Sequence, residues 1–339
     1  MKLVRVITLL VVSILWLGGC SQPVMHWLYQ TSIIVDDYRY GDLYRLSNLP
    51  QFKDPVTLCP AVTVSSDTAR THLYVIGDSF TEPERLSQQD FPVSYYKRVR
   101  WDKQDTIQLD PTANNVLLVE SVERHFREHA AATPIDPIDN LFIVSDSNRT
   151  NGSKQQSPSF GKQLVDLIHS EGIEERLETV LFSHDVFLWF KEIKASLTMN
   201  AFNRVSPNVA VSQNKKHLFI ALDTDSTKRL NAGTSPLPDN EVADLVNTVN
   251  KAAVRYQALG FDKVVLSIVP NKATILEPDR QPYNHLIERV QHHPKLNVPI
   301  VDVYSLYRKQ NQSVYALGDS HWNCLGRSIW IKAVSSHLN

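Results

Sequence analysis

Two short segments near opposite ends of a 339-residue chain carry the residue types of a nucleophile and its base. The first, Gly77-Asp78-Ser79-Phe80, directly follows the apolar run His72-Leu73-Tyr74-Val75-Ile76. A serine hydroxyl attacks carbonyls only when a base within hydrogen-bond reach takes its proton. The second segment, Gly318-Asp319-Ser320-His321, offers that base, with an acid two residues before it. An aspartate so placed can fold back on the imidazole, fix its tautomer and leave the other ring nitrogen for the serine. The implied chemistry is acyl transfer through an acyl-enzyme, with Ser79, His321 and Asp319 as the triad. Each segment also has a plainer reading: Asp78 capping the amides of a turn, and Asp319 capping the last helix while His321 fills a surface pocket. The presence of both, serine first and Asp-His last, favours the triad.

The elements that must position these groups are legible as apolar runs. Residues 72–77, 116–119, 264–269 and 298–303 are short, β-branched and bounded by glycine, proline or polar residues, as buried strands are. The second leads directly into a helical stretch, Ser121 to His129. Asp239 is placed to cap a helix with Val242, Leu245, Val246, Val249 and Tyr256 on one face. A last helix over about 325–338 turns Leu325, Ile329, Trp330 and Ala333 inward. Two or three helices are expected over 160–197, with Trp189 on a core-facing side, and a hairpin is expected around Gln213–Lys216. Strands alternating with helices predict an α/β fold, a three-layer doubly wound sandwich around a mainly parallel sheet. Residues 21–70, with Pro50, Pro55 and Pro60, read as an irregular lead-in. Residues 71–339 read as one domain with an embellishment at about 150–235.

A serine at the end of a strand sits on the carboxyl edge of the sheet, where open α/β sheets gather ligands. The amides near Ser79 and Phe80 can point at a developing oxyanion. Asn271 and Lys272 follow a strand and belong to the same edge. They are read as an oxyanion donor and as a hold on an acidic sugar or a loop, with a solvated Pro-Asn turn as the alternative. Glu120 and Arg124 are spaced for an ion pair across one helical turn, either structural or facing substrate.

The first twenty residues differ from the rest. Lys2 and Arg5 precede the apolar run Val6–Leu17, which ends in Leu17-Gly18-Gly19-Cys20. This is the pattern of an export signal, and its ending resembles a bacterial lipobox. That resemblance implies a lipidated Cys20, and Ser21 after it implies the outer membrane of a Gram-negative cell. An uncleaved N-terminal anchor is the alternative, and both readings place the body outside the cytoplasm. With Cys20 lipidated, Cys59 and Cys324 remain as an even pair in an oxidising compartment, either bridged or as two buried thiols. A net charge of −1 supplies no field for nucleic acid. No zinc spacing, Walker loop or dinucleotide fingerprint is present, so neither metal nor cofactor is expected.

Gly77-Asp78-Ser79 with a C-terminal Asp319–His321 pair resembles the SGNH/GDSL hydrolase superfamily. The Asp319-Ser320-His321-Trp322 spacing, with Glu120-Ser121-Val122-Glu123-Arg124 and Pro270-Asn271-Lys272 after strands, is similar to the branch that O-acetylates alginate and other exopolysaccharides (AlgX/AlgJ and DHHW-like proteins). The likeness spans about residues 70–335. It implies a three-layer fold, an acetyl-bearing polysaccharide substrate and a membrane-bound acyl-donor protein as partner. The superfamily's Gly-x-Asn-Asp block is missing, and the Asp-His pair follows the serine here, whereas in AlgX-type proteins it precedes it. A catalytically inactive, polysaccharide-binding scaffold lipoprotein is the competing reading.

Overall fold

The computed structural model describes residues 2–20, 43–54, 59–62, 70–131 except 84, 141–144, 184–338 except 232, and a few isolated positions. The Cys20 side chain, Ser21, most of the lead-in and the expected helices before residue 177 lie outside the described residues. In chain order the helices are α1 (Lys2–Cys20), α2 (Glu123–His129), α3 (Asp185–Phe202), α4 (Ala221–Thr224), α5 (Asp239–Ala258), α6 (Lys272–Leu276), α7 (Leu286–Gln291), α8 (Val303–Arg308) and α9 (Cys324–Ser335). The strands are β1 (Thr71–Gly77), β2 (Tyr95–Arg100), β3 (Asp105–Ile107), β4 (Asn114–Val122), β5 (Phe142–Val144), β6 (Val209–Val211), β7 (Leu218–Ile220) and β8 (Lys263–Val269).

The chain divides into two compact units, Met1–Val56 with Asn151–Ser206, and Thr57–Thr150 with Pro207–Asn339. In the first, Leu46, Leu49 and Phe52 are buried, and Lys53 Nζ meets Glu192 Oε1 at 2.8 Å. Trp189, expected in a core, is 56% exposed, and Phe190 beside it is 59% exposed. Four successive large apolar residues, Phe187–Phe190, turn through about 300° of helix, so they cannot share one buried face. Leu188 takes the inward position. Among the described residues no helix is long and apolar enough to cross a membrane.

The second unit is built on a sheet of order β2-β1-β4-β8, parallel throughout. Side chains alternate between its faces. Tyr74, Ile76, Leu117, Val119, Leu266 and Ile268 pack with Val242, Leu245, Val246 and Val249 of α5 and with Leu286, Ile287 and Val290 of α7. Leu73, Val75, Val116, Leu118 and Val265 pack on the other side with Val303 and Tyr307 of α8 and Trp330, Ile331 and Val334 of α9. Helices therefore cover both faces, which is why the strands are apolar throughout and do not alternate with polar residues. The expected strand at 298–303 contributes a single parallel bridge, Leu266 to Ile300. Pro299 lacks a ladder N–H, and Asp302 already caps α8 by accepting from the Ser305 amide. Asp239 is the first residue of α5, and the cap position is Pro238. The expected hairpin is present as the antiparallel pair β6 and β7.

Counted along the chain, the sheet strands and this bridge lie in the order 2-1-3-4-5, so the direction of winding reverses between β1 and β4. The pairs Ile76–Val119 and Val122–Val269 bring the carboxyl ends of β1, β4 and β8 to one edge. The crevice at such a reversal is where open α/β sheets bind ligands.

Candidate active site

The nucleophile turn begins at Gly77, which the structure requires to be glycine. A Cβ there would lie 2.1 Å from Thr81 Oγ1 and 2.9 Å from Glu120 Oε2. Past it, Ser79–Thr81 form one turn of 3₁₀-helix capped by Asp78. Asp78 Oδ1 accepts the Phe80 amide at 3.0 Å, and Oδ2 accepts the Val122 amide at 2.7 Å, tying the turn to the end of β4. The Asp78 amide itself donates to Glu120 Oε2 at 3.0 Å. From β2, Arg98 donates to the Gly77 and Asp78 carbonyls and to Thr81 Oγ1. The turn is thus held from both neighbouring strands. Asp78 does cap local amides, as the plainer reading expects, and the same cap presents Ser79.

The base arrives on a loop closed by backbone pairing of Tyr315 with Trp322. Asn323, not Asp319, caps α9, accepting the Gly326 amide at 3.1 Å. Asp319 is free to turn back, and its Oδ1 accepts from the His321 amide at 2.8 Å and from His321 Nδ1 at 2.5 Å. His321 Nε2 lies 2.8 Å from Ser79 Oγ. With Nδ1–H given to the carboxylate, Nε2 is the acceptor for the serine hydroxyl. The Phe80 ring packs on the imidazole at 4.7 Å between centroids and on Trp322 at 4.9 Å. His321 and Phe80 are buried, whereas Ser79 is partly exposed. Burial acts to raise the Asp319 carboxyl, but the charge and hydrogen bond of His321 outweigh it. Arg85, 3.5 Å from Oδ2, adds to them, and the group is held well below the usual carboxylate range.

The other candidates fall differently. The Phe80 amide is engaged by Asp78 Oδ1 and does not face an oxyanion site. The Ser79 amide donates to no acceptor among the described residues. Asn271 is fully buried, its Oδ1 accepting the Arg124 main-chain amide, its main-chain N–H donating to Glu123 Oε2, and its Nδ2 without a partner among the described residues. It joins β8 to α2 and does not contact the triad. Lys272 is also buried, with Nζ donating to the carbonyls of Leu317 at 2.8 Å and Asp319 at 3.0 Å. It holds the catalytic loop, the second of its two expected roles. The expected pairing of Glu120 with Arg124 does not form. The boundary between β4 and α2 falls between them, so they are not one helical turn apart. Arg124 lies buried, 3.8 Å from Asp223.

Cys59 and Cys324 form a disulfide with Cα atoms 5.1 Å apart. It pins the segment before β1 to the first residue of α9, three residues after His321. Sequence reasoning missed the roles of Arg98, Arg85 and Glu120. Each acts through a partner brought by another strand or loop, and no local spacing announces that. Among the described residues no cluster of histidine, cysteine and acidic side chains could hold a metal. The chain matches no protein-family model, no curated protein and no solved structure.

Proposed function

We propose that this protein is an exported serine acyl-transfer enzyme of the SGNH type, acting on O-acetyl groups of a cell-surface or secreted polysaccharide. The observation that carries the reading is the relay from Ser79 Oγ to His321 Nε2 at 2.8 Å and from His321 Nδ1 to Asp319 at 2.5 Å. The Ser79–His321 link lies within the range that proton transfer needs, about 2.6–3.2 Å, and the His321–Asp319 link is slightly shorter than that range.

In the first step Ser79 Oγ adds to the acetyl carbonyl while its proton passes to His321 Nε2. The tetrahedral oxyanion is met by the Ser79 amide, and its collapse expels the donor oxygen, which takes the proton from the imidazolium. In the second step water or a sugar hydroxyl gives its proton to His321 and attacks the acyl-serine, and collapse breaks the bond to Ser79 Oγ, which takes the proton back from the imidazolium. Asp319 stays ionised throughout and stabilises the imidazolium. With water as acceptor the outcome is an esterase, and with a sugar hydroxyl an O-acetyltransferase.

The polysaccharide substrate and the acyl-donor partner rest on the motif resemblance. The exported, lipid-anchored location rests on the N-terminal signal pattern and Cys20. A Cys59–Cys324 disulfide supports that location, because such bonds persist in oxidising compartments.

The test combines a fluorophosphonate probe, a chromogenic acetyl ester and acetylation of the cell's exopolysaccharide. Stoichiometric labelling at Ser79, with labelling and turnover both lost in Ser79→Ala, is the expected result. An unlabelled wild-type protein, with acetylation unchanged in Ser79→Ala, leaves the scaffold reading in its place.

A further inference from the structure

Beneath the nucleophile lie two acids that the relay does not use. Asp78 follows β1, and Glu120 lies in the adjoining strand β4. Between them they accept three backbone amides. Asp78 takes those of Phe80 and Val122, and Glu120 takes that of Asp78. These bonds span the crevice where the sheet reverses and set both residues flanking Ser79.

Glu120 is fully buried, and its second oxygen, Oε1, has no hydrogen-bond partner among the described residues. A bare carboxylate oxygen in that position would be unsolvated and beside another carboxylate. Two such groups at close quarters do not both ionise. Asp78 accepts an amide on each oxygen, which is the carboxylate's pattern. The proton therefore belongs to Glu120.

We propose that Glu120 and Asp78 act as one positioning unit for Ser79, a protonated acid beside a carboxylate, and that the site loses its geometry when Glu120 gives up its proton. The proposal rests on the acyl-transfer reading for its catalytic consequence, while the protonation itself does not depend on that reading.

The surroundings agree. Burial, then the Asp78 charge, pushes the Glu120 carboxyl well above its ordinary range, and the Asp78 amide and Arg98 only partly oppose this. The other groups facing the pair are Tyr96 from β2, Tyr307 from α8 and His129 from α2. Burial holds both tyrosines above their ordinary range, and it pushes His129 down to about 4. None of these three changes charge across the neutral range, and Glu123, pushed up to about 7, is common to wild type and Glu120→Gln, so the difference between those two proteins reports Glu120.

The experiment is the rate of fluorophosphonate labelling of the full chain from about pH 6 to about pH 10, in wild type and Glu120→Gln. The wild-type rate should fall by about tenfold on the alkaline side, as like charges open the turn. Glu120→Gln keeps an acceptor for the Asp78 amide and cannot ionise. It should lose no more than about tenfold at neutral pH and should show no alkaline fall. An identical alkaline fall in both proteins, or none in wild type, overturns the proposal. If wild type is not labelled at any pH, the acyl-transfer reading fails, and thermal unfolding decides the pairing alone. Wild type should lose stability relative to Glu120→Gln as pH rises, and equal pH dependence overturns the proposal. If Glu120→Gln does not fold, Asp78→Asn removes the other charge and should also abolish the alkaline fall while labelling more slowly. Persistence of the fall in that variant overturns the proposal too.

Discussion

Lys272 Nζ donates to the backbone carbonyl of Asp319 at 3.0 Å and to that of Leu317 at 2.8 Å, so the start of α6, just past β8, grips the loop that carries the acid and the base. The Tyr315 hydroxyl adds a second hold by donating to the Pro270 carbonyl. The catalytic loop is therefore fastened to the same sheet edge that presents Ser79, and the length of the relay depends on this fastening.

Lys272→Met should preserve the fold but loosen Asp319 and His321, because the carbonyls lose a charged donor while the apolar stem is kept. Ester kcat should fall by about ten- to a hundredfold with KM little changed, since a small misplacement of a reacting group costs that much. Steady-state kinetics beside a circular dichroism spectrum check this, and unchanged kcat would show that the loop holds itself.

Asp319→Asn should cost kcat far more, on the order of 10⁴-fold, by stabilising the wrong imidazole tautomer. The comparison with Ser79→Ala is informative, because the asparagine variant keeps its nucleophile and should still label slowly. Labelling half-times measure the difference.

Gly77→Ala should destabilise the protein by about 1–3 kcal/mol through overpacking, since the added Cβ meets Thr81 Oγ1 at 2.1 Å. The second variant, Gly77→Ala with Thr81→Ala, removes that oxygen and should recover part of the loss. A double-mutant cycle by chemical denaturation reads the coupling. Strict additivity would mean that the turn relaxes freely.

Removal of the disulfide by Cys59→Ser with Cys324→Ser should lower stability by about 2–5 kcal/mol. Its two ends are 265 residues apart in the chain. Because Cys324 opens α9 just after the catalytic histidine, labelling of Ser79 should also slow in the reduced wild-type protein. Denaturation with and without reductant tests both effects.

Stability should peak between two opposed titrations. Burial pushes Glu123 up to about 7, against the opposing bonds from the Asn271 amide, Thr274 and Tyr283. The folded form therefore keeps a proton that the unfolded chain releases, and this contribution is lost as pH rises through about 7. His129 is pushed down to about 4 by burial and then by His125, so the unfolded chain binds the extra proton. Stability is then lost as pH falls below the ordinary histidine range toward about 4. Glu123→Gln should lessen the fall in Tm that accompanies a rise in pH from the ordinary glutamate range to about 7.

The local elements were legible in the sequence because a buried strand or an amphipathic helix is written in neighbouring residues. The strand ending at Gly77, the α5 stripe from Val242 to Tyr256 and the hairpin around Gln213–Lys216 each depend on apolar spacing within a few turns or pleats. Both chemistry-bearing segments were visible for the same reason. The strand expected at 298–303 shrank to one bridge because Pro299 and the Asp302 cap compete with the ladder. Trp189 continues an apolar helical run but is exposed, because the run itself does not say which side of the helix finds a partner.

What only tertiary structure decided is how distant residues meet. His321 and Ser79 are 242 residues apart, and their 2.8 Å approach follows from a sheet order and a loop anchorage that no short window contains. The same holds for Lys272 fastening the catalytic loop, for Arg124 turning to Asp223, and for the unannounced acid pair at Asp78 and Glu120. Residue type and local period specify what an element is and what a side chain can do. The desolvation and partners that decide what it does come from segments folded against it from elsewhere in the chain.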